Sequence, residues 1–324
     1  MIAFSSANIR SWSMLGSNGT FGVAALELPE LDDNIAILTA DELYFSGLER
    51  FLAKFPDRLY NLGIAEQNLV GVAAGMSKEG LNVFATTYAS FASTRSCDQV
   101  RVNMGYMQLG VKLVGLTSGL SVGILGGTHW SIEDVAIMRA IPNITIISPA
   151  DCTETVKATL ALSRHEGPAY LRLTGGQPNA TVYKTDYEFK IGQSIRLRTG
   201  EDIAFIAAGA MVHAALGAAD ILSGHGLSCA VVDMHTIKPL DKAALADLLS
   251  VKLLVTVEEH SVNGGLGGAV AEALAGARMK PPQLIIGVPD EYRIAADYPY
   301  LLEEFGLTAP QIAQATLQRY HEMR

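Results

Sequence analysis

Along the chain, short apolar runs rich in β-branched residues alternate with longer stretches rich in Ala, Gly and Leu. NIAILTAD, LNVFATTYA, VKLVGLT, ITIISPAD and PAYLRLT fall in the first part, followed by DIAFIAAG, SCAVVDM and KLLVTVEE. Each run is continuously apolar rather than alternating, the pattern of a strand buried on both faces of a parallel sheet. The stretches between them read as helices, so the rhythm predicts an α/β fold of parallel-sheet-rich domains. In such folds ligands lie beyond the carboxyl ends of the strands.

From Gly176 to Gly192 the sequence turns polar and turn-rich, and a fresh strand–helix series starts at Asp202. A domain boundary is therefore expected near Lys184, dividing residues 1–184 from 185–324; the length of 324 suits two domains of about 150 residues each. The tail LLEEFGLTAPQIAQATLQRY predicts a terminal helix capped at Thr308 with Pro310 in its first turn.

Composition narrows the function classes. Hydrophobic residues reach 49% against 18% charged, with mean hydropathy +0.24, which excludes a disordered chain or a coiled-coil rod. A net charge of -9 repels phosphate backbones and anionic lipid, which disfavours nucleic-acid and membrane-surface partners. No apolar run nears the roughly 20 residues of a membrane span, and the start MIAFSSANIRSWSM lacks a signal pattern, so a cytoplasmic location is expected. Cys97, Cys152 and Cys229 are odd in number and widely spaced, which implies neither a disulfide framework nor a metal site.

One segment carries candidate chemistry. In NLGIAEQNLVGVAAGMSKEG, Glu66 opens a helix of small residues and is flanked by Ile64, Leu69, Val70 and Ala73. Such surroundings desolvate a carboxyl and favour its protonated form, although a Glu at a helix start also serves as a dipole partner.

GIAEQNLVGVAAGMSKEG, FATTYASFASTRSCDQVR and GGTHWSIEDVAIMRAIPNITIISPADCTE together resemble the pyrimidine-binding domain of transketolase-type thiamine diphosphate enzymes. VVDMHTIKPLD and VEEHSVNGGLGGAVAE resemble the carboxyl-terminal domain of the same family. The resemblance implies that residues 1–184 are the pyrimidine-binding domain and residues 185–324 the transketolase C-terminal domain. It implies that Glu66 hydrogen-bonds the aminopyrimidine ring and favours the tautomer that activates the cofactor. It further implies that Tyr88 and Phe91 stack on that ring and that Asp41 lies close to the cofactor. His129 would stand beside the reacting carbonyl and position substrate, and Arg172 would bind a substrate phosphate. Arg95 would contact substrate or pair with Asp98. A catalytic role thus falls to Glu66 and His129, and no residue is assigned to a metal.

Two departures matter. Many family members read Gly-Glu-Asp-Gly before the Thr-His pair, their Asp meeting a sugar hydroxyl, whereas this chain reads GILGGTH with Ile124 and Leu125. An unusual sugar substrate is therefore expected. The Gly-Asp-Gly motif with which the family binds Mg2+ and the diphosphate is absent. The resemblance then implies a split enzyme: a separate subunit carrying Gly-Asp-Gly holds Mg2+ and the diphosphate, thiamine diphosphate binds between the chains, and the assembly is an α2β2 heterotetramer. The expected activity is transfer of a two-carbon ketol unit from a ketose to an aldehyde. Alternatives are a 2-oxoacid dehydrogenase β-like or deoxyxylulose phosphate synthase-like subunit, and a non-catalytic regulatory partner. The run GGLGGAV, Gly264 to Val270, offers a weak nucleotide-binding pattern, with tight helix–strand packing as the other reading.

Overall fold

The computed structural model describes residues 2–175 and 178–323. Its strands are β1 (Ile35–Thr39), β2 (Leu59–Asn61), β3 (Asn82–Tyr88), β4 (Lys112–Leu116), β5 (Thr145–Ile147), β6 (Ala169–Arg172), β7 (Ile195–Arg198), β8 (Ile203–Ala207), β9 (Cys229–Asp233), β10 (Thr236–Lys238), β11 (Leu253–Ser261) and β12 (Gln283–Val288). They form a seven-stranded sheet, order β10-β5-β6-β4-β3-β1-β2, and a five-stranded sheet, order β12-β11-β8-β9-β7. Among the described strands only β10 on β5 and β7 on β9 pair antiparallel. The expectation of two parallel-sheet-rich units is met, and between β6 and β7 the described residues carry no strand or helix.

Every apolar run singled out above contains one of the interior strands. Most of these are buried at every position, as strands covered by helices on both faces must be. The strands not anticipated, β2, β7, β10 and β12, are the sheet edges. β2, β7 and β10 are short, with sequences such as IRLR and TIK that lack the continuous apolar signature, whereas β12, QLIIGV, is apolar but partly exposed.

The two halves interlock. Strand β10 comes from the second half yet completes the first sheet, and one apolar core runs from Leu38, Leu69 and Met138 to Ile206, Ile237 and Leu266. The terminal helix Ala309–Glu322 begins after Thr308, with Pro310 in its first turn. Thr308 caps by position only, because its hydroxyl donates to Gln311 Oε1 at 2.6 Å. The glycine run near Gly264 is a packing device, in line with the helix–strand packing reading rather than the nucleotide one. A Cβ on Gly267 would lie 2.5 Å from Ile285 Cγ2, and the N–H groups of Leu266 and Gly267 donate to the Glu258 carboxylate at 2.6 and 2.8 Å. That carboxylate takes the position at the helix start where a phosphate would bind. No helix among the described residues is long and apolar enough to cross a membrane.

Candidate active site

The candidate residues gather where a parallel sheet places ligands, beyond the carboxyl ends of β1 to β4. After β1 the chain turns through Asp41 at φ 66, an angle that Asp tolerates better than most residues. Asp41 and Asn61, at the ends of neighbouring strands, exchange hydrogen bonds: Asp41 N–H donates to Asn61 Oδ1 at 3.1 Å, and Asn61 Nδ2 donates to Asp41 Oδ1 at 2.9 Å. Asn61 Oδ1 also accepts from Gly63 N–H at 3.0 Å, which fixes the approach to the helix Glu66–Lys78.

Glu66 is the first residue of that helix and is 3% exposed. Arg95 Nη1 donates to its Oε1 at 2.7 Å, and no bond to Oε2 is made among the described residues. Arg95 ends a π-helical turn, Phe91–Arg95, a local widening found often at functional sites, and its guanidinium lies 4.1 Å from the Phe91 ring centroid. Three rings meet edge to face: Tyr88 and Phe91 at 5.8 Å, Tyr88 and His129 at 5.8 Å, Phe91 and His129 at 5.3 Å. Phe45 adds a fourth, 5.9 Å from Tyr88. The structure thus brings Glu66, Tyr88, Phe91, Arg95 and His129 together, with Asp41 on the adjoining turn.

Two expectations about charged partners are corrected. Arg95 pairs with Glu66 rather than with Asp98, which instead accepts from Arg101 Nη2 at 2.7 Å. Arg172 is not at the cleft. It is 5% exposed, its Nε donates to Asp134 Oδ2 at 2.8 Å, and its Nη2 donates to the carbonyls of Ser131 and Glu259 at 3.2 and 2.9 Å. Burial opposes its charge, but Asp134, Tyr170 and Glu259 together outweigh burial and hold the guanidinium above its ordinary value. An Arg committed in this way joins the two halves and is not placed to bind a substrate phosphate.

Beside the ring cluster lies a cleft of about 460 Å3, bordered by Phe45, Tyr88, Val122, Ile124, Leu125 and Tyr298. The loop that carries Ile124 and Leu125 is anchored from the second half by Glu259, which accepts Leu120 N–H and the Tyr298 hydroxyl, each at 2.6 Å.

The sequence reading missed Glu42 and Phe45. Glu42 directly follows Asp41, and an adjacent acidic pair at the end of a strand was the available signal. Its turn is set by Thr39, whose Oγ1 accepts Glu42 N–H at 3.0 Å. Burial, then Asp41, then Glu66 push the Glu42 carboxyl up to about 7, and burial together with Glu42 pushes the Tyr88 phenol up to about 12. The folded protein therefore holds the Glu42 proton more tightly than the unfolded chain does. That contribution to stability is full below the ordinary carboxylate range and is lost as pH rises through 7. Glu42→Gln, which cannot ionise, is expected to match the wild type in Tm near about pH 4 and to exceed it near about pH 8. Equal differences at both pH values in a thermal melt would refute this assignment.

The family described as transketolase, pyrimidine binding domain, matches residues 19–178, and that described as transketolase, C-terminal domain, matches residues 192–312. The chain belongs to the transketolase family. It is 40% identical over 291 residues to a 6-deoxy-6-sulfo-D-fructose transketolase subunit of Clostridium sp. (strain MSTE9), covering 90% of each chain. It is 35% identical over 308 residues to an apulose-4-phosphate transketolase subunit of Phocaeicola vulgatus, covering 94% of this chain and 98% of that one. Among solved structures it resembles a split-gene transketolase in an inactive β4 tetramer, with TM-score 0.86 and 37% identity, over 96% of this chain and all of that one.

As a transketolase-family chain it is expected to use thiamine diphosphate, and the donor set suits the pyrimidine end. Glu66 is a buried carboxylate with one oxygen unbonded among the described residues, beside aromatic rings that can flank a flat heterocycle. Among the described residues no cluster of His, Cys, Asp and Glu is arranged to hold a metal ion.

Proposed function

We propose that the chain is the subunit of a split transketolase that supplies the pyrimidine-binding and C-terminal domains, divided near Lys184. A separate polypeptide carrying Gly-Asp-Gly would supply the Mg2+ and diphosphate site, in an α2β2 assembly. The observation that carries this reading is the geometry at Glu66, a buried carboxylate at the carboxyl end of the sheet, held by Arg95 through one oxygen beside the Tyr88, Phe91 and His129 rings. Exposed apolar side chains at Tyr44, Phe45, Ile64 and Ile124 lie on the segments that build the site, and a partner would cover them.

Thiamine diphosphate, once bound between the chains, supplies the carbanion chemistry of ketol transfer. The residues of this chain do the rest. Glu66 would hydrogen-bond a nitrogen of the pyrimidine ring and exchange a proton with it, Tyr88 and Phe91 would stack on the ring, and Asp41 would lie close to the cofactor. His129, whose Nδ1 lies 2.9 Å from Thr128 Oγ1, positions the substrate, and Arg95 orients Glu66 while facing solvent. Closure by the partner excludes water.

Ile124 and Leu125 replace the Glu and Asp of the family motif, so the cleft takes a sugar with a deoxygenated or modified end better than a plain pentose phosphate. Relatives named for 6-deoxy-6-sulfofructose and apulose 4-phosphate support that class. The test is reconstitution with the partner polypeptide, thiamine diphosphate and Mg2+, assayed with a panel of ketose donors and aldehydes. Ketol transfer is expected only in the mixture, with modified sugars preferred. The reading fails if pyruvate releases carbon dioxide without ketol transfer, or if this chain alone retains cofactor and metal. Leu125→Asp is expected to improve kcat/KM for hydroxylated acceptors about tenfold, the worth of one hydrogen bond to a charged group. An unchanged preference would remove Leu125 from the specificity determinants.

A further inference from the structure

The opposite end of the first sheet borders a second cavity, of about 480 Å3, among the segments that enter β3, β4 and β6. Its charged lining is Lys78, Lys112, Arg164, His165 and a single acid, Glu166. In a chain of net charge -9 this is a local reversal of sign. None of Lys78, Lys112 and Arg164 forms a salt bridge among the described residues.

Lys78 ends the helix Glu66–Lys78 and Arg164 follows the helix Cys152–Leu162, where carbonyl dipoles already favour a cation. Lys112 has no such reason to be there. It opens β4, is 3% exposed, and its ammonium donates to the Gly110 carbonyl at 2.6 Å, with no salt bridge to a carboxylate among the described residues. An ammonium buried without a counter-charge is costly unless an anion joins it. His165, 3.2 Å from Thr145 Oγ1 through Nε2, is held below its ordinary pKa by burial and by Lys112, so a second positive charge cannot settle beside the first.

We propose that this cavity binds the phosphate group of a small phosphorylated metabolite, with Lys112 at its floor and Lys78 and Arg164 around it, at a site separate from the Glu66 cleft. Three cations against Glu166, with His165 neutral, leave two positive charges, the complement of a phosphomonoester near neutral pH. Arg164 contributes the planar fork suited to an oxyanion, and the cavity volume is that of a small-molecule site. The titratable and charged groups that line the cavity with Lys112 are His165, Arg164, Lys78 and Glu166, of which His165 feels the Lys112 charge, and Asp32 accepts from the lining residue Asn82. Burial pushes Lys112 down to about 8, so the site weakens as pH rises past that value.

The test titrates the full chain with inorganic phosphate at low ionic strength by calorimetry, with chloride as the control. The wild type is expected to bind saturably at one site at pH 7 and about tenfold more weakly at about pH 9.5, where Lys112 is neutral. Lys112→Met is expected to lose about tenfold in affinity with Tm unchanged or raised, since an apolar side chain removes a lone buried charge. Arg164→Gln, on the surface, gives a second measure that does not depend on the fold of the Lys112 variant. Glu66→Gln is expected to leave phosphate binding unchanged, which separates this site from the transketolase reaction. Absence of phosphate binding, equal affinity for chloride, or undiminished binding by both variants overturns the proposal.

Discussion

Glu66→Gln is expected to lower turnover of the reconstituted complex by about 10²–10⁴-fold, the range of a lost proton-handling group, while assembly and Tm stay near the wild type. The amide keeps the shape of the carboxylate, and its oxygen can still accept from Arg95 Nη1, which lies 2.7 Å from Glu66 Oε1. The variant removes only the proton-exchanging carboxyl that the pyrimidine ring requires. Arg95 is half exposed, so losing its ionic partner costs the fold little. Turnover is measured by ketol transfer in the mixture, assembly by size-exclusion chromatography, and cofactor affinity by fluorescence quenching. Unchanged turnover would reduce the chain to a scaffold and remove the central element of the proposed function.

Arg172→Met is the second large effect, and it falls on stability. Asp134 is fully buried, its Oδ2 accepts from both Arg172 Nε and the Tyr170 hydroxyl, and its Oδ1 has no partner among the described residues. Removing the guanidinium strands that carboxylate inside the protein, at a cost of about 3–5 kcal/mol in denaturant unfolding. Adding Asp134→Leu, which removes the stranded charge as well, is expected to recover most of the loss. Had Arg172 served a substrate phosphate, the single variant would keep its stability and raise KM instead. That pattern would restore the role first implied by the resemblance.

The contrast between these residues shows how far the chain can be read before it is folded. Glu66, Tyr88, Phe91 and His129 lie in contiguous motifs, and the structure draws them into one cluster. Arg172 also lies in a motif-like run, at the end of strand β6, yet its partner Asp134 opens the helix Asp134–Ala140. The pairings Arg95 with Glu66 and Arg172 with Asp134 join positions 29 and 38 residues apart. Which acid meets which base depends on how helices pack, and no local pattern records it. For Glu42 the neighbouring Asp41 was a local signal, but its raised pKa arises first from burial, then from Asp41 and then from Glu66, and the burial and the approach of Glu66 exist only in the folded chain.

Local pattern was enough for the class of fold, the interior strands and the helix that presents Glu66. A strand covered on both faces is apolar nearly throughout, and an acidic residue is favoured in the first turn of a helix. The packed chain was needed for the sheet edges, the docking of β10 from the second half onto β5, and the choice of ionic partners. Edge strands need burial on fewer sides and so carry a weaker pattern, and a buried charge is balanced by whichever group the completed fold sets beside it.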